Sequence, residues 1–170
     1  MTRTISRILV ATDFSAASDL ALDYATALAH QFGASVHLLH VVEDPFVAGA
    51  WTPELYVASI STVRASLIDE AAARLARLRP AFEREGLTVT SEVMVGSPAP
   101  AIREVAQGRR CDLVVMGTHG RSGMAHLLLG SVAEKVVRQA PCPVLTVRAN
   151  AAPALAEEQE LFARDYVPAE

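Results

Sequence analysis

Cysteine is scarce in this chain, which contains only Cys111 and Cys142 among 170 residues. Their spacing fits neither a metal-binding nor a thiol-redox motif. Isolated cysteines of this kind are typical of buried thiols in a reducing compartment, where disulfides are rare. We therefore expect a cytoplasmic protein with two reduced thiols.

Long apolar runs and basic runs are also missing. No apolar stretch approaches the roughly 18 residues that would predict a membrane-spanning helix. The short apolar run near the N-terminus ends at Asp13 without a small-residue cleavage site, so it does not predict a signal peptide. The net charge is −4 and no long basic block occurs, which argues against nucleic acid as a partner.

Hydrophobic residues, by contrast, make up 51% of the chain, which is enough for a sizeable core. The length suits one domain with an extension. We predict a domain over residues 1–148 and a C-terminal tail over 149–170. The tail has few large apolar residues, and it is either a short helix that docks on the body or on a partner, or a frayed end.

Strand-like segments alternate with helical ones along the predicted domain. The predicted strands span residues 7–12, 35–42, 87–95, 113–116 and 143–148, and the predicted helices span 15–32, 61–85, 98–106 and 132–139. This alternation predicts a parallel sheet with helices on both faces. Pro80 should end or kink the second helix near Arg79.

The segment over residues 43–58 interrupts this pattern. Its two prolines and its glycine predict a loop, yet it carries several large apolar side chains. A loop with that much apolar surface usually packs on something. We expect this loop to pack on one of three surfaces: the proposed ligand site, a partner subunit or its own domain.

A glycine-rich stretch follows the fourth predicted strand and precedes the last helix. Gly117, Gly120 and Gly130 are spaced G-x2-G-x9-G, and Ser131 follows at once. Glycines admit a ligand close to backbone N–H groups, and a helix start attracts anions, so this order predicts a phosphate pocket. The stretch is neither a Walker loop nor a G-x-G-x-x-G fingerprint. The structural alternative is that the glycines serve turns and Ser131 caps the helix as part of an S-x-x-E capping box.

The spacing G-x2-G-x9-G-S resembles the nucleotide-binding signature of the universal stress protein family. Three further segments match in order: ILVATDFS at 8–15, LLHV at 38–41 and PCPVL at 141–145. The resemblance covers about residues 4–148. It implies a doubly wound five-stranded parallel sheet in the order 3-2-1-4-5, with an adenine-nucleotide alpha-hydrolase-like fold, often dimeric and in one subgroup with an ATP site. In that order, Asp13 and Gly117 end the two strands between which the order reverses, so they should share one crevice.

The resemblance also implies which residues form the nucleotide site. They are Ala11, Thr12, Asp13, Val41, Met116, Gly117, His119, Gly120, Arg121, Gly130, Ser131 and Val132. Asp13 would contact the ribose or adenine end and could hold Mg²⁺ through water, and Val41 would contact the adenine. The glycines would admit the phosphates, and the Ser131 hydroxyl and the Val132 N–H would donate to them. A capping role for Asp13 and a solvated loop position for Arg121 are the alternatives.

No nucleophile motif or paired base accompanies these residues, and we assign no catalytic residue. We expect an ATP-binding regulatory or stress-response protein with little or no turnover. The alternatives are a slow ATPase or phosphotransferase, and an interaction module that has lost the ligand.

The predicted edge strand at 144–147 is apolar on both faces, so we also expect a homodimer that pairs this strand with its own copy. The sequence does not identify a downstream protein partner.

Overall fold

The computed structural model describes residues 4–43, 53–118 and 129–149, and for residues 53–60 it describes the backbone alone. Within those ranges the elements, in chain order, are β1 (Arg7–Ala11), α1 (Ala16–Phe32), β2 (Ser35–Val42), α2 (Pro53–Arg84), β3 (Val89–Val95), α3 (Pro98–Gly108), β4 (Leu113–Gly117), α4 (Ser131–Gln139) and β5 (Val144–Val147). The predicted alternation of strands and helices is confirmed. The predicted tail after residue 149 lies outside the described residues.

The strands form one parallel sheet in the order β3-β2-β1-β4-β5, as predicted. The central strand β1 pairs with β2 through Arg7 and Ser35 and with β4 through Ile8 and Leu113. The chain adds β2 and β3 on one side of β1 and then adds β4 and β5 on the other side. The order therefore reverses between β1 and β4, and a crevice is expected at the carboxyl ends of these two strands.

Helices cover both faces of this sheet. Successive strand residues point to opposite faces, so Ile8 and Val10 pack in the layer under α1 and α2, whereas Leu9 packs in the layer under α3 and α4. The helix residues in the first layer include Ala21, Ala25, Leu75 and Phe82. Those in the second layer include Ile102, Val105 and Val136. A strand buried on both faces in this way is typical of the centre of a parallel sheet.

Helix α2 begins at Pro53 rather than at the predicted Ser61. Proline is favoured at the first helical position, because the N–H that it lacks would have no partner there. The prediction of a loop over residues 43–58 is therefore wrong from Pro53 onward, while residues 44–52 lie outside the described ranges.

The same helix continues through Pro80 to Arg84, close to the predicted end at residue 85, so Pro80 does not end it near Arg79. An internal proline removes one backbone hydrogen bond. Leu75 and Phe82 flank Pro80, are 1% and 3% exposed, and belong to the core. Their burial against the sheet offsets the lost bond. Although α2 has 32 residues, no helix within the described ranges is both long and apolar enough to cross a membrane.

Helix α1 begins directly against the carboxyl end of β4. Ser15 caps it, as predicted, and its hydroxyl accepts a hydrogen bond from the Ser18 N–H at 3.4 Å. A Cβ atom built on Gly117 would lie 2.9 Å from the Ala17 Cβ and 3.1 Å from the Ser18 nitrogen. Side chains in a packed interior do not approach so closely, so glycine at this position allows α1 to contact β4.

We predict that Gly117→Ala lowers the free energy of unfolding by about 1–3 kcal/mol, because the added methyl group must displace the backbone of α1. Gly108→Ala is the matched control, since no atom lies within 4 Å of a Cβ built there. It should leave stability unchanged or raise it slightly. Urea denaturation of the three proteins measures the difference, and equal midpoints for Gly117→Ala and the wild type would contradict the close packing.

A buried histidine lies between β2 and β3, away from the crevice. The His37 Nδ1 is 2.7 Å from the Thr90 hydroxyl, and its Nε2 is 3.1 Å from a Glu92 carboxylate oxygen. The second contact is close enough for an ion pair but does not satisfy hydrogen-bond geometry, so we treat it as electrostatic. Arg109 pairs with the other Glu92 oxygen at 2.6 Å. Burial lowers the pKa of His37, and the contact with Glu92 opposes this only in part.

This arrangement predicts that the protein loses stability as the pH falls below the ordinary histidine pKa of about 6.5. The folded pKa of His37 is lowered, so the unfolded chain takes up a proton at a higher pH than the folded chain does. Urea unfolding at about pH 7.5 and about pH 5.5 measures the loss while the carboxylates stay ionised. His37→Gln should show a smaller loss over the same interval. Equal losses in the two proteins would show that other groups cause the pH dependence.

Candidate functional site

A cavity of about 590 Å³ opens at the carboxyl ends of the strands, beside the reversal between β1 and β4. It is lined by nine of the residues predicted from the resemblance: Ala11, Thr12, Asp13, Val41, Met116, Gly117, Gly130, Ser131 and Val132. The other three, His119, Gly120 and Arg121, lie outside the described residues. Residues from three strands and from the first turn of α4 therefore meet in one cavity.

The turn between β1 and α1 forms one wall, and hydrogen bonds fix its side chains. The Thr12 hydroxyl accepts from the Phe14 N–H at 3.0 Å and donates to the Ser18 hydroxyl at 3.0 Å. One oxygen of Asp13 accepts from the N–H and the hydroxyl of Ser15, at 3.1 and 2.6 Å. Asp13 therefore orients Ser15, which caps α1, but Asp13 is not itself the cap. The same carboxylate lines the cavity.

On the opposite wall, two backbone hydrogen bonds hold the start of α4. The Gly130 N–H donates to the Thr118 carbonyl at 2.8 Å, and the Thr118 N–H donates to the Val147 carbonyl at 2.7 Å. These bonds attach the N-terminus of α4 to the ends of β4 and β5. Gly130 has φ −69°, which any residue can adopt, so its backbone conformation does not require glycine.

The first turn of α4 differs from the predicted capping box. Gly130 is the N-cap and Ser131 is the first helical residue, with no side-chain cap bond, so the capping interpretation of Ser131 is wrong. The first backbone bond of the helix runs from the Glu134 N–H to the Gly130 carbonyl at 2.9 Å. The N–H groups of Ser131, Val132 and Ala133 precede it and have no acceptor within the helix. All three residues line the cavity, where such groups attract an anion.

The sheet face under α3 supplies an apolar wall. Leu39, Ile102 and Met116 line the cavity and are 1%, 2% and 5% exposed. Ala11 and Val41 lie on the same face, at the ends of β1 and β2. A flat apolar ring fits such a wall, because pockets of this kind bind mainly through hydrophobic contact, while a few polar groups orient the ligand.

Sequence reasoning missed a stack of three side chains on the side of the cavity that faces α2. The Phe14 and His40 rings lie 4.5 Å apart between centroids, and the Arg74 guanidinium carbon lies 4.1 Å from the Phe14 centroid. The His40 Nδ1 is 2.7 Å from the Thr12 carbonyl oxygen, so this nitrogen carries the proton that is donated. All four residues line the cavity. The position of Phe14 directly after Asp13 was the one available signal, and nothing in the spacing of Arg74 indicated a site.

Charged groups within the described lining are mostly acidic. Asp13, Glu43 and Glu70 are carboxylates, whereas Arg74 is the one arginine or lysine among the lining residues that the structure describes. No group of three or more His, Cys, Asp or Glu side chains in the described ranges could hold a metal ion. Positive potential in this part of the cavity therefore comes from Arg74 and from the start of α4.

Comparison with known proteins agrees with this architecture. The model of the universal stress protein family matches residues 4–148. The universal stress protein MJ0531 of Methanocaldococcus jannaschii is 35% identical over 147 residues, which cover 84% of this chain and 81% of the relative.

Solved structures of the same family have the same fold. The MJ0577 protein, also from Methanocaldococcus jannaschii, is 28% identical with a TM-score of 0.77, and the match covers 86% of this chain and 97% of that one. A universal stress protein solved in complex with cAMP is 26% identical with a TM-score of 0.58, over 87% of this chain and 100% of that one. Sequence, sheet order and structural similarity agree, and the chain belongs to the universal stress protein family.

Proposed function

We propose that this protein binds adenine nucleotides, with ATP as its main ligand, and acts as a regulatory or stress-response protein with little or no turnover. The observation that carries the proposal is a single cavity that joins the start of α4, whose first N–H groups have no acceptor within the helix, to an apolar wall. These two features match the two chemical parts of a nucleotide, the phosphates and the base. The relative solved with cAMP supports the proposal, since cAMP is an adenine nucleotide.

The geometry supports one orientation of the ligand. The adenine lies against Ala11 and Val41, and Asp13 contacts the ribose or adenine end. The phosphates lie at the start of α4, where they accept from the Val132 N–H and from the Ser131 hydroxyl, which the helix does not use as a cap. From the glycine loop, we propose that Gly120 admits the phosphates and that His119 and Arg121 contact them.

Little turnover is expected because the described lining offers few groups for phosphoryl transfer. It contains no lysine, and the Asp13 oxygen that accepts from Ser15 is already engaged. Efficient phosphoryl transfer needs charge neutralisation and a positioned nucleophile. Asp13 could hold a nucleotide-bound Mg²⁺ through water, which would assist binding without supplying a base.

We predict that ATP binds the wild type and that Gly130→Val abolishes binding, because a branched side chain beside the start of α4 fills the space that a phosphate needs. ATP at 100 times its dissociation constant should stabilise the wild type by about 2.7 kcal/mol. For a chain of this size, this is a melting shift of roughly 5–11 °C. Calorimetry and thermal denaturation measure the two effects.

Two further variants serve as controls for this experiment. Gly108→Ala changes a glycine that does not line the cavity and should bind ATP like the wild type. Ser131→Ala should weaken binding without lowering the stability of the free protein, because Ser131 is not the cap. Equal heats for Gly130→Val and the wild type would place the site elsewhere, and no heat for the wild type would refute nucleotide binding.

We further propose that the protein is a cytoplasmic homodimer. Cys111 and Cys142 are free thiols, which is typical of proteins in a reducing compartment. β5 is the edge strand beside β4, and within the described residues nothing pairs with its outer side. An unpaired apolar edge tends to find a partner, and self-pairing across a two-fold axis satisfies it.

The direction of the hydrogen bonds in β5 identifies a clean test of this dimer. The Pro143 and Val147 carbonyls accept from the N–H groups of Val114 and Thr118, on the side of β4. Backbone groups alternate along a strand, so the N–H of Thr146 points to the other side, toward the open edge of the sheet. Thr146→Pro should therefore convert the dimer to a monomer in analytical ultracentrifugation. Thr146→Val keeps the N–H and should remain dimeric. Val147 is unsuitable because its side chain is buried in its own core. A monomeric wild type at micromolar concentration would refute the proposal.

A further inference from the structure

Arg74 has an unusual environment for a cation that lines a cavity. Its guanidinium lies over the face of the Phe14 ring, with 4.1 Å between the guanidinium carbon and the ring centroid. The Phe14 ring in turn lies against His40. Arg74 is half-buried, so part of its side chain is removed from water. The guanidinium is therefore in contact with the face of an aromatic ring.

Carboxylates are available nearby, yet Arg74 pairs with none of them in the part of the chain that the structure describes. Glu70 lies four residues earlier on α2, at a spacing that permits an ion pair, and it lines the same cavity. Other arginines do form such pairs, for example Arg79 with Glu83 at 3.1 Å. The stack on Phe14 holds the guanidinium over the aromatic ring, where no carboxylate within the described ranges meets it.

The chemistry of this arrangement favours a phosphate. A guanidinium has five N–H donors in its plane, and stacking on a ring occupies its face while leaving those donors available. Two parallel N–H groups match two oxygens of a phosphate, and such charge-assisted pairs are stronger than neutral hydrogen bonds. In the described lining, the N–H groups at the start of α4 and the Ser131 hydroxyl are further donors for an anion.

We propose that Arg74 is a ligand-binding residue that donates its in-plane N–H groups to a phosphate of the bound nucleotide. This inference rests on the proposed function. α2 belongs to the helix layer on one face of the sheet and α4 to the layer on the other. Arg74 and the start of α4 therefore line the same cavity from opposite faces of the sheet, and in this proposal the phosphate chain extends between them. Arg74 makes the cavity selective for nucleotides with more phosphates.

Phe14 acts as the positioning residue for Arg74. It has φ 61°, a left-handed conformation that costs free energy in a non-glycine residue and persists where the surrounding structure holds it. The Thr12 hydroxyl accepts from its N–H, which holds the turn in this conformation. The turn directs the ring between His40 and Arg74. The contact with this ring places the guanidinium at the cavity wall.

The test is calorimetry with ATP, AMP and adenosine on the wild type, Arg74→Gln and Arg74→Lys. Arg74→Gln should weaken the binding of ATP about 10- to 100-fold, the range expected for losing charge-assisted hydrogen bonds. It should change the affinity for adenosine less than about twofold, because adenosine has no phosphate. Arg74→Lys keeps the charge but loses the planar donors, so its affinity for ATP should lie between the other two. The ratio of ATP to AMP affinity should fall in Arg74→Gln.

Arg77→Gln is the matched control, because Arg77 is exposed on the same helix and does not line the cavity. It should bind ATP like the wild type, and urea denaturation of every variant checks that the fold is retained. If Arg74→Gln binds ATP as well as the wild type does, or loses ATP and adenosine equally, phosphate contact by Arg74 is refuted while nucleotide binding stands. If the wild type binds none of the three ligands, the proposed function and this inference both fail.

Discussion

The backbone pairing of β1 with β4 is the interaction on which the candidate site depends. It places Ala11 beside Met116, so the chain leaves the two strands from neighbouring points. After β1 the chain turns into α1 on one face of the sheet, and after β4 it reaches α4, which packs on the other face. The cavity is the space between these diverging segments. Gly117 allows α1 to start directly against β4, so the two segments diverge right at the carboxyl ends of these strands.

Two main-chain hydrogen bonds hold the start of α4 at the ends of β4 and β5. The Gly130 N–H binds the Thr118 carbonyl, and the Thr118 N–H binds the Val147 carbonyl. The side chain of Ser131 makes no cap bond, and the N–H groups of the first turn have no acceptor within the helix, so within the described residues both can serve a ligand. The turn after β1 is arranged differently, since its side chains hold one another: Thr12 contacts Ser18, and Asp13 contacts Ser15. One wall of the cavity thus offers backbone donors, and the facing wall offers oriented side chains.

The fold and most of the candidate site were predictable because they follow from local patterns and from the family resemblance. The apolar runs predicted the strands, and the residues at their carboxyl ends had to meet once the sheet order was known. Pro53 was wrongly assigned to a loop, and Pro80 does not end its helix, because rules for single residues ignore the position within a helix and the burial on either side. The cap of α4 was misplaced by one residue. Arg74 was missed because its contact with Phe14 joins segments that only the tertiary structure brings together.

The charges around the cavity set a limit on which ligand it can select. The apolar wall contacts the adenine ring, which all adenine nucleotides share. That wall therefore cannot discriminate between nucleotides with different numbers of phosphates. Asp13, Glu43 and Glu70 oppose any added negative charge, although Ser15 already donates two hydrogen bonds to Asp13. The start of α4 contributes about half a positive charge, and this effect decreases within one helical turn. A phosphate beyond that first turn gains little from α4 and is still repelled by the carboxylates. Among the lining residues that the structure describes, Arg74 is the group with both the full charge and the donor geometry to reverse this balance.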